Sequence, residues 1–431
     1  MAERYKTVIL GAGPAGLAAA LGHGPEAVVI EQSNRVGGLA SSLEFDGVLF
    51  DIGGHSFHTP HPAIEKLVCD SVEMFHQVRE ARCFTHGQMI NYPFQTFFHE
   101  LNNRQIVEEC AYTESDEALG EDSSSADFSL YLKNKFGIGI ANHFLLPYNE
   151  KLWGKNNLER MSTNWIEERV VHTKNQTDPS SAPHGKRKAL QHDAIVSYPA
   201  KGGFGKIFDL LAGNISNIQL EQKVAAIDPY QRSLRTDKGK TIYWQNLIST
   251  LPITQLVSMV ARFPQDLISQ SKQLQYVSLK LILVTLKCPL QTKIQRIYCA
   301  DDTSPAHKIV LNNNSSDFLR SRPKHGIMGE ISSNRELDSD SVLIDNFIES
   351  LFKMQIINSI EEVSATTVID TKYGYPVPTL SKNAIIASLK DELSKHRITV
   401  LGRFGEWDYI NSDEALHRGF ELGHLISHRL E

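Results

Sequence analysis

The sequence has 431 residues, more than one ordinary hydrophobic core accommodates, so two or three domains are predicted. Hydrophobic residues at 41% and charged residues at 22% are ordinary for a soluble globular protein. The formal net charge of −6 argues against nucleic acid or an anionic membrane surface as a partner, while leaving room for a local basic pocket.

The five cysteines, Cys69, Cys83, Cys110, Cys288 and Cys299, contain no Cys-x-x-Cys pair, so neither a disulfide framework nor a zinc site is predicted and a reducing compartment fits. No apolar run approaches the roughly 18 residues of a membrane span. The first strand begins so close to Met1 that no signal peptide precedes it, and the expected location is the cytoplasm.

In chain order, Thr7-Val8-Ile9-Leu10 reads as a strand, and Gly11, Gly13 and Gly16 form a tight turn that opens an alanine-rich helix at Leu17. The first two glycines let backbone approach a pyrophosphate closely, the third lets helix and strand pack, and the helix N-terminus holds the phosphate charge. A second strand, Ala27 to Ile30, ends in Glu31, placed to receive a ribose hydroxyl pair. A lone glycine pattern is often only a chain reversal; strand, helix and acid together point to a dinucleotide.

The next stretch, Gln32 to Ala40, carries Arg35 and a second glycine turn, Gly37-Gly38, followed by Leu39. It resembles the Glu-x5-Gly-Gly extension of FAD-binding amine oxidases, and the cofactor implied is FAD. Further on, Asp51-Ile52-Gly53-Gly54-His55 ends a strand in two glycines that permit close approach to a flat ligand. The bland alternative is a turn beside a packed histidine.

Arg82 to Thr85 and Gln88 to Tyr92 read as a hairpin around His86-Gly87, and residues 93 to about 180 are mainly helical in pattern. An acid- and serine-rich break at Glu114 to Asp127 reads as a solvated loop. The polar, basic stretch 173–192 reads as a loop whose Gly185-Lys186-Arg187-Lys188 is either a solvated surface or a diphosphate contact. A third glycine cluster at Ser197 to Lys206 opens another helix. Short strands follow at 218–220, 224–227, 233–236 and 241–244, then alternating strands between about 275 and 370, and finally Ile398 to Gly405 and a helix from about Glu414.

Seven separated motifs together resemble the UDP-galactopyranose mutase family, its eukaryotic-type branch and bacterial relatives: Asp51 to His55, Tyr92-Pro93-Phe94-Gln95, Pro147 to Trp153, Trp165 to Val170, Tyr198 to Gly203, Gly374 to Leu380, and Gly402 to Tyr409. The resemblance implies an α/β fold: a discontinuous Rossmann-like FAD-binding domain (1–80, 198–252 and 396–431) with an inserted helical domain (96–197) and an antiparallel β-sheet domain (81–95 and 253–395). It also implies a mutase that rearranges a nucleotide-diphosphate sugar between pyranose and furanose forms. Reduced FAD attacks the anomeric carbon through N5, a covalent route that splits one hard rearrangement into easier steps.

By position, FAD would be held by Gly11, Gly13, Ala15, Gly16, Glu31, Arg35, Gly37, Gly38, Leu39, Gly54, His55, Gly402, Arg403 and Tyr409. His55, Arg169 and Arg403 would be catalytic, with Arg169 clamping the diphosphate. Tyr92, Gln95, Trp153, Asp193, His307, Lys308, Tyr375 and Tyr409 would join Arg169 around the substrate. For Arg169 the bland alternative is a structural ion pair, and for the tyrosines it is core packing.

Asp193 stands where the family has an asparagine, and His307 and Lys308 stand where it has tyrosine and arginine. A carboxylate would repel phosphate, and a lysine lacks the bidentate fork, so the sugar need not be galactose. Two other readings stay open at this point: an FAD-dependent oxidoreductase of the amine oxidase or protoporphyrinogen oxidase type, and a flavin-binding protein without turnover. NAD(P)H is a candidate external reductant, and a homo-oligomer is open; no metal is expected.

Overall fold

The computed structural model describes residues 3–112, 127–163, 165–166, 194–333 and 336–428. Arg169, Asp193 and the basic stretch 173–192 lie outside the described residues, as does the acidic break apart from Asp127. Among the described residues no helix is long and apolar enough to cross a membrane.

The N-terminal strand Glu3–Leu10 is the centre of a seven-stranded sheet. It pairs in parallel with Ala27–Ile30 on one side and Thr241–Ser249 on the other. Val8, Ile9, Leu10, Val28 and Val29 have no exposed surface, because helices cover both faces of the parallel strands. The late strand Ile398–Val400 pairs in parallel with Leu247 to Ser249, so the end of the chain returns to the sheet its beginning started.

The helix Pro14–His23 follows the first glycine turn and lies against the C-terminal helix Ser412–His428. Small residues make this close approach possible. A Cβ at Gly419 would strike the Ala15 carbonyl and one at Gly423 the Ala19 carbonyl. Likewise a Cβ at Gly16 would strike the carbonyl of Gly11, which is why the third glycine of the turn must lack a side chain.

A second seven-stranded sheet has the long strand Tyr276–Leu286 flanked by Val363–Pro376 and His325–Ser332. Its pairs are antiparallel except that Arg296–Cys299 runs parallel to Ala81–Thr85. Alternation assigns its two faces. Val277, Leu279, Leu281 and Leu283 join the aromatic core around Phe94, Phe144 and Trp153, whereas Ile282, Val284 and Leu286 pack with Leu343, Phe347 and Leu351 of the helix Asp340–Lys353.

The helical pattern read from 93 onward resolves into short pieces, including Arg104–Ala111, Phe128–Phe136 and Leu146–Trp153. It is interrupted at Met161, which forms a bridge to Thr379, and the Ser162 amide donates to the Pro378 carbonyl. Tertiary pairing with the segment just after the strand Val363–Pro376 overrides the local helical spacing there. Asp127 caps the Phe128–Phe136 helix, accepting from the Leu130 amide.

Candidate functional site

At the head of the first helix the backbone is arranged for an anion. Gly11 has φ +98°, a left-handed turn that favours glycine. Gly13 is the N-cap of the Pro14–His23 helix, has no side-chain cap, and a Cβ placed on it would meet nothing within 4 Å. The orphan amides and the positive end of the helix dipole therefore face open space, the chemistry a diphosphate requires.

Glu31 stands beside this turn, one carboxylate oxygen accepting from the Ala12 amide at 2.7 Å and the other from the Ser33 amide and hydroxyl. The second glycine turn is tied to the first, with the Gly37 amide donating to the Ala12 carbonyl at 2.8 Å. Arg35 is exposed, and its carbonyl accepts from the Ser33 hydroxyl. The donor set fits a dinucleotide such as FAD.

A cavity of about 300 Å³ opens between the two sheets and the helical segment. Of the residues singled out in the sequence, it brings together Leu39, Gly54, His55, Tyr92, Gln95, Trp153, His307, Lys308, Tyr375, Arg403 and Tyr409. Gly11, Gly13, Ala15, Gly16, Glu31, Arg35, Gly37, Gly38 and Gly402 do not line it and belong to the dinucleotide turn and the ground around it. One buried carboxylate, Asp51, ties the two regions: it accepts from the Ser42 and Tyr198 hydroxyls and from the Phe204 amide, and so anchors the third glycine cluster to the Ile52–His55 turn.

His55 shares its Nε2 between the Ile52 and Leu39 carbonyls, at 3.0 and 3.2 Å, and stacks on Phe204. Burial lowers its pKa to about 4, and the positive charges of Arg403, Lys308 and Arg296 push the same way, so the imidazole is neutral at neutral pH. Arg403 donates from Nε and Nη2 to the Ile410 carbonyl and from Nη1 to that of Gly374. Its guanidinium also lies 5.8 Å from the Tyr375 ring and 5.7 Å from the Tyr409 ring.

Several residues that the sequence does not single out stand in the wall or directly behind it. Register places Cys83, Tyr298, Lys308, Glu330 and Leu281 in one row across the second sheet, and directly paired residues share a face. Glu330 has no exposed surface; it accepts from the Gly54 amide at 2.9 Å, from Lys308 at 2.8 Å and from the Tyr375 hydroxyl at 3.2 Å. Burial raises the Glu330 pKa, but Lys308 and His307 outweigh it and hold the carboxyl at about 2.

Tyr298 accepts from Arg79 Nη2 at 2.7 Å, and Arg79 also lies over the Tyr92 ring. Burial raises the Tyr298 pKa, yet Arg79, Arg296 and Lys308 together bring it below the ordinary phenol value. Tyr148 and Tyr375 are raised, chiefly by burial. Tyr148 lies within the Pro147 to Trp153 motif, which is a signal for it; Arg79, Arg296 and Glu330 carry no local sequence signal.

The family model for flavin-containing amine oxidoreductases matches residues 14–354. The chain belongs to that family. Family membership supports a flavin for the donor set described above. Among solved structures, reduced UDP-galactopyranose mutase superposes with a TM-score of 0.86 at 24% identity, over 99% of this chain and 95% of that one. A protein designated a protoporphyrinogen oxidase from Exiguobacterium sp. gives 0.76 at 16% identity, over 99% of each chain. Putrescine oxidase bound to putrescine gives 0.69 at 16% identity, also over 99% of each. At these identities the likeness is one of fold, shared by a mutase and by oxidases.

Proposed function

We propose that the protein is an FAD-dependent isomerase of a nucleotide-diphosphate sugar, interconverting pyranose and furanose ring forms with the flavin reduced. One observation carries the reading: among the described residues the cavity lining includes Arg79, Arg296, Lys308 and Arg403 and no Asp or Glu. A protonated amine would enter this field against repulsion, whereas a diphosphate is attracted.

FAD, when bound and reduced, would supply the electron-rich ring that reacts at the anomeric carbon. The residues Gly11, Gly13, Glu31, Gly37 and Gly38 would hold its dinucleotide part, and Gly54, His55 and Arg403 would border the flavin. Tyr92 and Gln95 would take the nucleotide end, with Tyr92 backed by Arg79. Lys308, Tyr375 and Tyr409 would hold the diphosphate as it leaves and returns, with Arg169 retained as a proposed clamp. Glu330 orients Lys308 and does not touch the reacting atoms. A neutral His55 can accept or share a proton beside the sugar without adding charge to the floor.

The test is a binding contrast on the flavin-loaded protein, UDP and GDP against putrescine, followed by flavin absorbance and fluorescence. Saturable binding of a nucleoside diphosphate with none of the amine is expected. Amine binding with bleaching of oxidised flavin would instead identify an amine oxidase.

A further inference from the structure

We infer that two copies of the chain form a twofold dimer in which the strand Val363–Pro376 pairs, antiparallel and edge to edge, with the same strand of the second copy, centred on Val368. The inference concerns a surface and does not depend on the reaction assigned to the cavity.

The first observation is an open edge. Val363–Pro376 is the outermost strand of the second sheet, with Tyr276–Leu286 on its inner side. The Ser278 carbonyl accepts from the Ser333 amide on the far side of that inner strand, so the alternate residues Leu279, Leu281, Leu283 and Thr285 turn toward Val363–Pro376. Their partners Thr371, Ile369, Thr367 and Ala365 direct their backbone groups inward, and the Ala365 amide donates to the Thr285 hydroxyl at 3.0 Å. Thr366, Val368 and Asp370 therefore present their amides and carbonyls outward, where they have no partner among the described residues.

Such an edge is a template for another strand, and native proteins blunt it with proline, lysine or bulges. Between Ala365 and Thr371 none of the three is present: the first lysine is Lys372, the proline is Pro376 at the end, and the register shifts lie outside this run. Ile369 packs only in part on the core around Trp153, and Val368 only in part on the core around Phe347, so apolar surface remains open on both faces of the edge.

The second observation selects the occupant. Val368 is the middle residue of the run Ala365–Thr371, and the register shifts flank it on either side, between Val363 and Ala365 and between Thr371 and Tyr375. A twofold axis at Val368 sets run against run with neither bulge inside the paired segment. It places Val368 opposite Val368, Thr367 opposite Ile369, and the Asp370 carboxylate opposite the Thr366 hydroxyl, with no like charges opposed. An axis at Asp370 would instead set two carboxylates face to face. Asp370 is also met within its own chain by Lys280 at 2.9 Å, so its charge does not bar approach. A foreign extended peptide would use the same backbone groups, but the matched ends and side-chain pairs belong to a second copy. The strand also carries Thr371, Gly374 and Tyr375 to the cavity, so each copy would brace a wall of the other's site.

The test uses the full-length, FAD-loaded protein. Sedimentation at about 1 to 100 µM should show a species of about twice the 48.3 kDa of the chain. Val368→Cys stands on the axis, where facing Cα atoms of a hydrogen-bonded antiparallel pair are about 5.5 Å apart, within disulfide range, so mild oxidation should give a covalent dimer. Thr366→Cys lies away from its own copy and should not link, and the native protein, with exposed Cys69 and Cys288, controls for unrelated links. Thr366→Pro removes an outward amide and no inward bond, and should weaken the dimer about tenfold or more with FAD content unchanged. A native protein that stays monomeric across the range would overturn the inference. So would a dimer that Val368→Cys fails to link and Thr366→Pro fails to weaken, since it would be built on another surface. A monomer whose edge strand takes up an unrelated extended segment would overturn it equally.

Discussion

Lys308 and Glu330 are directly opposed on antiparallel strands, with Nζ 2.8 Å from Oε1 and no part of Glu330 exposed. A pair buried this deeply is costly to break from one side, because the surviving charge loses its partner. Glu330→Gln should destabilise the protein by about 3 kcal/mol. The carboxyl sits at about 2 against an ordinary 4.5, so its contribution is complete above pH 4.5 and fades as pH falls toward 2. Urea unfolding of both proteins between pH 3 and 7 reads the difference directly. A gap that stays constant to pH 3 would show that the carboxylate is not the group held down by Lys308.

The dinucleotide turn separates binding from folding. At Gly13 a side chain meets no protein atom and the backbone has the extended geometry of an N-cap, φ −73° and ψ 178°. Gly13→Asp should therefore cap the helix and hold or raise the stability of the flavin-free protein by up to about 1 kcal/mol. The same carboxylate should abolish FAD binding, since it occupies and repels the phosphate position. Gly16→Ala, whose new methyl strikes the Gly11 carbonyl, should lose stability and flavin together. Thermal melts of flavin-free protein with flavin occupancy by absorbance distinguish the two.

His55 supplies a pH dependence of its own. Its pKa is depressed to about 4 from an ordinary 6.5, so the unfolded chain takes up a proton that the folded state refuses. Stability referable to His55 is whole above pH 6.5 and declines as pH falls toward 4. His55→Gln should flatten the stability profile across that window, measured on flavin-free protein. An unchanged slope would mean that the imidazole is protonated in the fold.

Lys151 is buried, and its ammonium donates to the Asp301, Ser304 and Ala306 carbonyls at 2.8, 2.8 and 3.0 Å. It thereby fixes the loop that delivers His307 and Lys308 to the cavity. Lys151→Met should cost about 1–3 kcal/mol by leaving carbonyls unpaired, and it should raise KM more than it lowers kcat. A kcat loss with unchanged KM would place Lys151 closer to the chemistry than its contacts do.

Much of this fold was legible because its signals are local. The glycines at 11, 13 and 16, the strand ending in Glu31, and the hairpin around His86-Gly87 each declare themselves within a few residues. The helix Asp340–Lys353 went unseparated from the strands around it, since a buried amphipathic run between strands resembles them over short windows. The cavity was half legible. Glu330 sits in a fully buried strand, His325–Ser332, and its partner Lys308 lies 22 positions earlier, so only the register of two strands makes the pair visible. Arg79, just after the strand Met74–Val78, and Arg296, the first residue of the strand Arg296–Cys299, are likewise cations indistinguishable in sequence from solvated ones until the fold turns them inward.

The measurement closest to the central claim is an anaerobic incubation of the FAD-loaded protein with a panel of nucleotide hexoses, oxidised in one arm and dithionite-reduced in the other. Products are read by chromatography and mass, and the flavin by absorbance. Isomerisation predicts a product of unchanged mass in the reduced arm alone, with the flavin still reduced at the end. A product of altered mass, or bleaching of oxidised flavin by a substrate with no isomer formed, would contradict the account and make the protein an oxidoreductase on the shared fold.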